Sequence, residues 1–150
     1  MAWSACKTLI PILVQVPMHG VERFWGEYDA WEKSLDPNNV QQADMLVRAF
    51  EPKHKSARAA YKERSRLRNQ IVVQFFPGPY TGDPKDKANA KAWMDLIAYE
   101  RSNPQKMLHE DLRKRVHFTY MHCLSYMPLY PDIWHQSALW HGKHPLSSTG

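Results

Sequence analysis

Glycine is scarce in this chain, six in 150 residues. None of the six builds a phosphate-cradling loop or a Gly-x-Ser-x-Gly elbow. Paired carboxylates in a recognisable catalytic setting are also missing. Cysteine is scarcer still. Cys6 and Cys123 lie far apart, form neither a metal spacing nor a disulfide framework, and suit a reducing compartment. Long apolar runs are lacking too. The longest, "LIPILVQVPM" at residues 9–18, holds two prolines and is too short to span a bilayer. One Lys precedes it and no small-residue cleavage site follows, so it makes a poor signal peptide. The expectation is a soluble intracellular chain without a membrane partner. Charge is not extreme: a net +5 permits an acidic partner or nucleic acid without demonstrating either.

Strand patterning is nearly absent. "IVVQFF", Ile71 to Phe76, is the one β-like run, and without a hairpin partner it reads as a helix end or extended connector. Proline is plentiful at eleven, and the prolines fall between periodic segments. Proline breaks helix interiors and biases the residue before it away from helix. The stretches between them therefore read as separate helices. Phe24, Tyr28, Trp31 and Leu35 recur at helical spacing, and so do Val40, Ala43, Leu46, Val47 and Phe50. A basic helix is expected after Pro52. "PGPYTGDPKD", Pro77 to Asp86, is the best linker candidate. A short helix carrying Ala92, Trp93, Leu96, Ile97 and Tyr99 should stop at "SNP". From Leu108 the longest helix should run through Leu112, Val116, Tyr120, Cys123 and Met127. A last helix opens at Ile133 and fades into an aperiodic tail. The class is all-α with antiparallel neighbours.

Aromatic residues recur in a fixed pattern. "FWGEYDAWE" places Trp25, Tyr28 and Trp31 three apart and closes with Glu32. "AWMDLIAYE" repeats this with Trp93, Leu96, Tyr99 and Glu100. "DIWHQSALWH" begins it again with Trp134, Ser137 and Trp140, but has His141 in place of the acid. Positions 0, +3 and +6 share roughly a third of a helix circumference, and +7 returns to within about 20° of the start. Each buried ring contributes at most on the order of 5 kcal/mol. The closing acid lies beside the buried face and needs a partner there. Arg58 is the expected partner for Glu32, and Arg115 for Glu100. Repeated helix pairs that cannot bury their faces alone indicate a solenoid.

Trp-x-x-hydrophobic-x-x-aromatic-Glu on one helix is followed by Ala-Arg-x-x-Tyr-x-x-Arg on the next in "ARAAYKER", which supplies Ala57, Arg58, Tyr61 and Arg64. This pairing resembles the half-a-TPR (HAT) repeat of RNA-processing scaffolds. "KRVHFTYMHCLSYMPLYPDIW", residues 114–134, adds Arg115, Tyr120, Asp132 and Trp134. It is similar to the Suppressor-of-forked family, the HAT subunit of cleavage stimulation factor. "VPMHGVERFWGEYDAWE" and "PKHKSARAAYKER" resemble the plant-like members. The resemblance covers about Val14 to Trp140, and Met121 and His122 stand where the family tends to have Glu-Gln.

It implies a TPR-like α-α superhelix present as a partial array, an internal fragment or truncated product. Residues 1–13 would be unmatched, 14–76 would end an amino-terminal block, 77–88 would link, 89–140 would start a carboxy-terminal block, and 141–150 would form a tail. It further implies a nuclear, non-enzymatic scaffold of pre-mRNA 3′-end processing, whose partners are other cleavage and polyadenylation subunits or a second copy. A HAT protein of the splicing machinery shares the repeat but not the "YPDIW" neighbourhood. Without a completing helix, Trp134 and Trp140 should form an exposed apolar face.

The eight histidines read as solvated or capping residues, since His117 and His122 lie five apart on a helix. No metal or cofactor is expected. Cys123 falls on an apolar stripe and reads as core. The basic run Lys62, Arg64, Arg66 and Arg68 is either a solvated face or a phosphate-driven RNA contact.

Overall fold

A computed structural model gives the fold and describes residues 9–73 and 78–145. Every regular element among them is a helix, as the periodicity predicts. These are α1, described over residues 9–13, α2 (Val21–Leu35), α3 (Val40–Arg68), α4 (Pro84–Arg101), α5 (His109–Tyr126) and α6 (Pro131–Lys143). Packing groups the residues up to Glu63 in one unit and those from Arg64 onward in a second.

Prolines set two of the helix starts. Pro84 and Pro131 occupy the first turns of α4 and α6. There the missing N–H is not needed and the fixed φ suits a helix. Pro84 falls within residues 77–88, so α4 begins inside the expected linker. Gly20, at φ 78°, provides the left-handed turn into α2. After α4 comes Ser102, then Asn103 at φ 52°. The Asn103 side chain accepts from Met107 N–H at 2.8 Å and donates to Met107 C=O at 2.9 Å. That accounts for the stop at "SNP".

Pro52 departs from the expectation. It lies inside α3, which runs for 29 residues, so α3 and not the helix from Leu108 is the longest. Pro52 and Arg48 are both exposed. The Arg48 carbonyl that loses its amide partner is therefore on the water side, where the loss costs least.

In the first unit Val14, Tyr28 and Val47 are buried, with Phe24, Trp25, Trp31 and Phe50 packed against them. In the second, α4 packs on α5 and α5 on α6. Their shared core includes Trp93, Leu96, Ile97, Tyr120, Cys123 and Trp140. Ile71 to Val73 take no regular structure, and the rest of the "IVVQFF" run lies outside the described residues. Val72 is held by a side chain in place of a neighbouring strand. Its N–H donates to Asn89 Oδ1 at 2.9 Å, and Asn89 Nδ2 returns a bond to its C=O at 3.0 Å.

Candidate interaction groove and its buried ion pair

The second motif copy builds the best-defined site. Trp93 is 2% exposed, with Tyr126 stacked at 6.0 Å and His122 edge-on at 5.4 Å. One helical repeat later Glu100 returns to the same face and is also 2% exposed. A carboxylate at that depth needs nearly all its hydrogen-bonding capacity filled. Arg64 grips it in a fork, Nε to Oε1 at 2.5 Å and Nη2 to Oε2 at 3.1 Å. Arg64 Nη2 also donates to Gln105 Oε1 at 3.0 Å. The expected partner, Arg115, takes the outer place, its Nε 3.8 Å from Glu100 Oε2. Burial holds the Arg115 guanidinium below the ordinary arginine pKa, Arg64 pushes the same way, and Glu100 opposes both.

These groups floor a groove of about 360 Å³ whose walls include Arg68, Val73, Phe118, His122 and Tyr126. Phe118 is 59% exposed. Trp93, also in the lining, has an Nε1–H without a hydrogen-bond partner. Burial lowers the His122 pKa below its usual 6.5, with Arg68 adding to the effect.

The first copy keeps the spacing but not the acid's environment. Tyr28 is 1% exposed, while Trp25, Trp31 and Glu32 are half-buried. Trp25 stacks on His54 at 4.4 Å and Tyr28 meets Phe50 edge-on at 6.2 Å. Burial raises the Tyr28 pKa well above its usual value, and the neighbouring Glu32 charge and its hydrogen bond with the tyrosine hydroxyl add to the effect. The expected Glu32–Arg58 pair is not formed; Arg58 pairs with Glu22. Antiparallel register explains this. Residues late in α3 meet residues early in α2, so Arg58 lies opposite the start of α2. The end of α2 meets the start of α3, where Lys33 reaches Asp44 at 3.3 Å.

Ala57 is 3% and Tyr120 1% exposed, and Leu96 is 5%. Tyr61 and Tyr99 are half-buried, and the Tyr61 hydroxyl lies 3.1 Å from His19 Nδ1. Asp132 is exposed in the first turn of α6, where a negative charge complements the helix dipole. Trp134 is 51% exposed, as expected, and donates Nε1–H to Pro128 C=O at 2.8 Å. Trp140 corrects the expectation of an exposed face around both indoles. It is 7% exposed, packed by Tyr120 at 5.7 Å and stacked on His144 at 5.0 Å. In α6 the buried set is Ile133, Ser137 and Trp140, a register that turns Trp134 out.

Two histidines are more engaged than a solvated reading allows. His117 Nδ1 lies 2.7 Å from His141 Nε2, and His141 Nδ1 lies 2.7 Å from the Ser137 carbonyl. No metal-capable cluster of three or more His, Cys, Asp or Glu occurs among the described residues. Cys123 is fully buried and its thiol is pushed up to about 12 by desolvation, so it is core and not a nucleophile. Cys6 lies outside the described residues. Of the basic run, Lys62, Arg66 and Arg68 are exposed, whereas Arg64 is committed to Glu100 and Gln105.

Sequence reasoning missed His54, Asn89 and Phe118. His54 follows Phe50 by four and precedes Ala57 by three, a helical spacing that could have found it. Nothing local distinguishes Asn89 or Phe118.

A family model described as "Suppressor of forked protein (Suf)" matches residues 5–148, somewhat beyond the 14–140 stretch that carries the resemblance. Cleavage stimulation factor subunit 77 of Arabidopsis thaliana is 35% identical over 140 residues, covering 93% of this chain and 19% of that protein. The mRNA 3′-end-processing protein rna14 of Schizosaccharomyces pombe is 30% identical over 122 residues, 81% of this chain and 16% of that protein. Protein suppressor of forked of Drosophila melanogaster is 27% identical over 136 residues, 90% of this chain and 17% of that protein. The chain thus spans about a fifth of the length of these relatives. With the aromatic-acid helices, the all-helical fold and a match over nearly its whole length, this chain belongs to the Suppressor of forked family.

Proposed function

We propose that this chain is a non-enzymatic scaffold segment of the nuclear machinery that cleaves and polyadenylates pre-mRNA. The family match over residues 5–148 carries the reading. The names of its relatives, a cleavage stimulation factor subunit and 3′-end-processing proteins, support it. In this reading packed helices hold partner subunits at fixed spacing. Residues 14–76 close one repeat block and 89–140 open the next, joined by 77–88. The motif residues from Trp25 to Trp134 act structurally. A tagged chain incubated in nuclear extract should retain cleavage and polyadenylation subunits. Retention of splicing factors in their place would transfer it to the splicing class of HAT proteins.

Self-association is a second reading, favoured by the exposure of Leu129, Trp134 and Leu139 at 52%, 51% and 50%. Sedimentation over a wide concentration range should reveal dimers, and a monomer throughout removes the reading. Direct RNA contact, if made, belongs to Lys62, Arg66 and Arg68 and not to Arg64. It should weaken steeply with salt. Charge reversal at those three positions that leaves filter binding unchanged would assign any RNA association to partner proteins.

A further inference from the structure

We propose that the groove between α4, α5 and the end of α3 is a docking site for an acidic peptide from a partner subunit, one Asp or Glu side chain flanked by an apolar residue. The proposal deepens the scaffold reading and rests on it for the partner being a protein.

Charge is the first reason. Arg64, Arg68 and Arg115 line the groove, and Glu100 is the one carboxylate among the lining residues. Arg64 already engages both Glu100 oxygens, and Arg115 stands off at 3.8 Å. Arg68 and most of the Arg115 charge are therefore uncompensated within the groove. The Arg115 side chain is 35% exposed, open enough for a second carboxylate to form a charge-assisted bond.

An unspent donor is the second. Trp93 is 2% exposed and lines the groove, yet its Nε1–H meets no acceptor. Leaving such a donor buried and unpaired is unfavourable, so an acceptor that reaches it as the groove opens gains there. A peptide carbonyl or carboxylate supplies one.

Shape is the third. A cavity of about 360 Å³ is at the small end of ligand sites and holds two or three side chains. Phe118, 59% exposed on the wall, offers the apolar flank its contact. A single-stranded RNA is the poorer fit. Base recognition needs open aromatic faces. The Trp93 ring is enclosed by Tyr126 and His122, leaving Phe118 as the one well-exposed ring among the described lining residues.

The test is a heteronuclear NMR titration of the full ¹⁵N-labelled chain with acetyl-Gly-Glu-Glu-Phe-Glu-Leu-Gly-amide. Two controls accompany it, the same peptide with Gln for every Glu, and an oligouridylate. The acidic peptide should shift the Trp93 indole resonance together with the Phe118 and His122 amides. It should bind about tenfold more tightly than the Gln peptide, a difference of about 1.4 kcal/mol. Arg68→Glu and Phe118→Ala replace exposed side chains and leave the core intact. Each should weaken binding about fivefold or more, while thermal unfolding stays near that of the parent chain. Equal binding of the Gln peptide, shifts confined to other surfaces, or a response to oligouridylate alone overturns the proposal. If the peptide fails while the chain still retains processing subunits from nuclear extract, the groove assignment falls and the scaffold reading stands.

Discussion

One sequence pattern occurs twice, and the two copies differ in what becomes of the acid. Around Trp93 it is sealed at 2% exposure under a two-pronged guanidinium. Around Trp25 it stays half in water and takes a single hydroxyl. The aromatic spacing fixes which face of the helix the acid occupies; it does not fix how deep that face lies. Depth depends on whether an arginine on another helix arrives at the same level. Arg64 does so for Glu100. Arg58, displaced toward the start of α2 by antiparallel register, does not do so for Glu32. An acid is tolerated in the core only where its counter-charge is already placed.

Removing the acids separates the two copies most sharply. Glu100→Ala leaves Arg64 buried at 12% side-chain exposure without its partner. A loss of about 3–5 kcal/mol is expected, read by denaturant unfolding. Glu32→Ala should cost about 1 kcal/mol or less, since the acid is half-exposed and loses one hydrogen bond. Equal losses would erase the distinction. Next in size is the leading tryptophan. Trp93→Ala should cost about 3–5 kcal/mol as a core cavity, and Trp25→Ala distinctly less because its ring is half-exposed and stacked on one histidine. A smaller loss is expected from Asn89→Ala, which frees both backbone groups of Val72. Val72 is exposed and water replaces part of what is lost, so about 1–2 kcal/mol is expected. Faster hydrogen exchange at the Val72 amide would localise the effect.

Much of this was legible in the chain. Helical period and proline placement located α2, α4, α5, α6 and the two stretches that α3 joins, though not α1, and the +7 position put both acids on the aromatic face. Three features were not legible. Pro52 inside α3 depends on its carbonyl partner facing water, which is a property of the packed helix. The choice of Arg64 over Arg115 as the main counter-ion depends on the level at which two helices meet, and periodicity along one helix is silent on that. Trp140 was expected outside because, without a completing helix, its face would lie uncovered. The packed register of α6 instead follows Ile133, Ser137 and Trp140. Local pattern gives angle around a helix axis; inter-helix register gives depth and partner.

The smallest expected difference between the copies lies in their histidines. His122 and His54 each pack on the leading tryptophan of a copy, edge-on to Trp93 and stacked on Trp25. The His122 pKa is lowered from 6.5, chiefly by burial and further by Arg68. Its neutral form is thus favoured in the folded chain, and the unfolded chain takes up the proton more readily. The stability this contributes is complete above pH 6.5 and drains away as pH falls through the lowered folded value. Unfolding measured between pH 7.5 and 5 should therefore show a modest loss that His122→Gln flattens. Arg68→Glu removes the second cause, raises the folded value back toward 6.5 and should shrink the loss. A profile unchanged in both variants would mean that the indole packing, and not the proton, fixes this ring in the second copy.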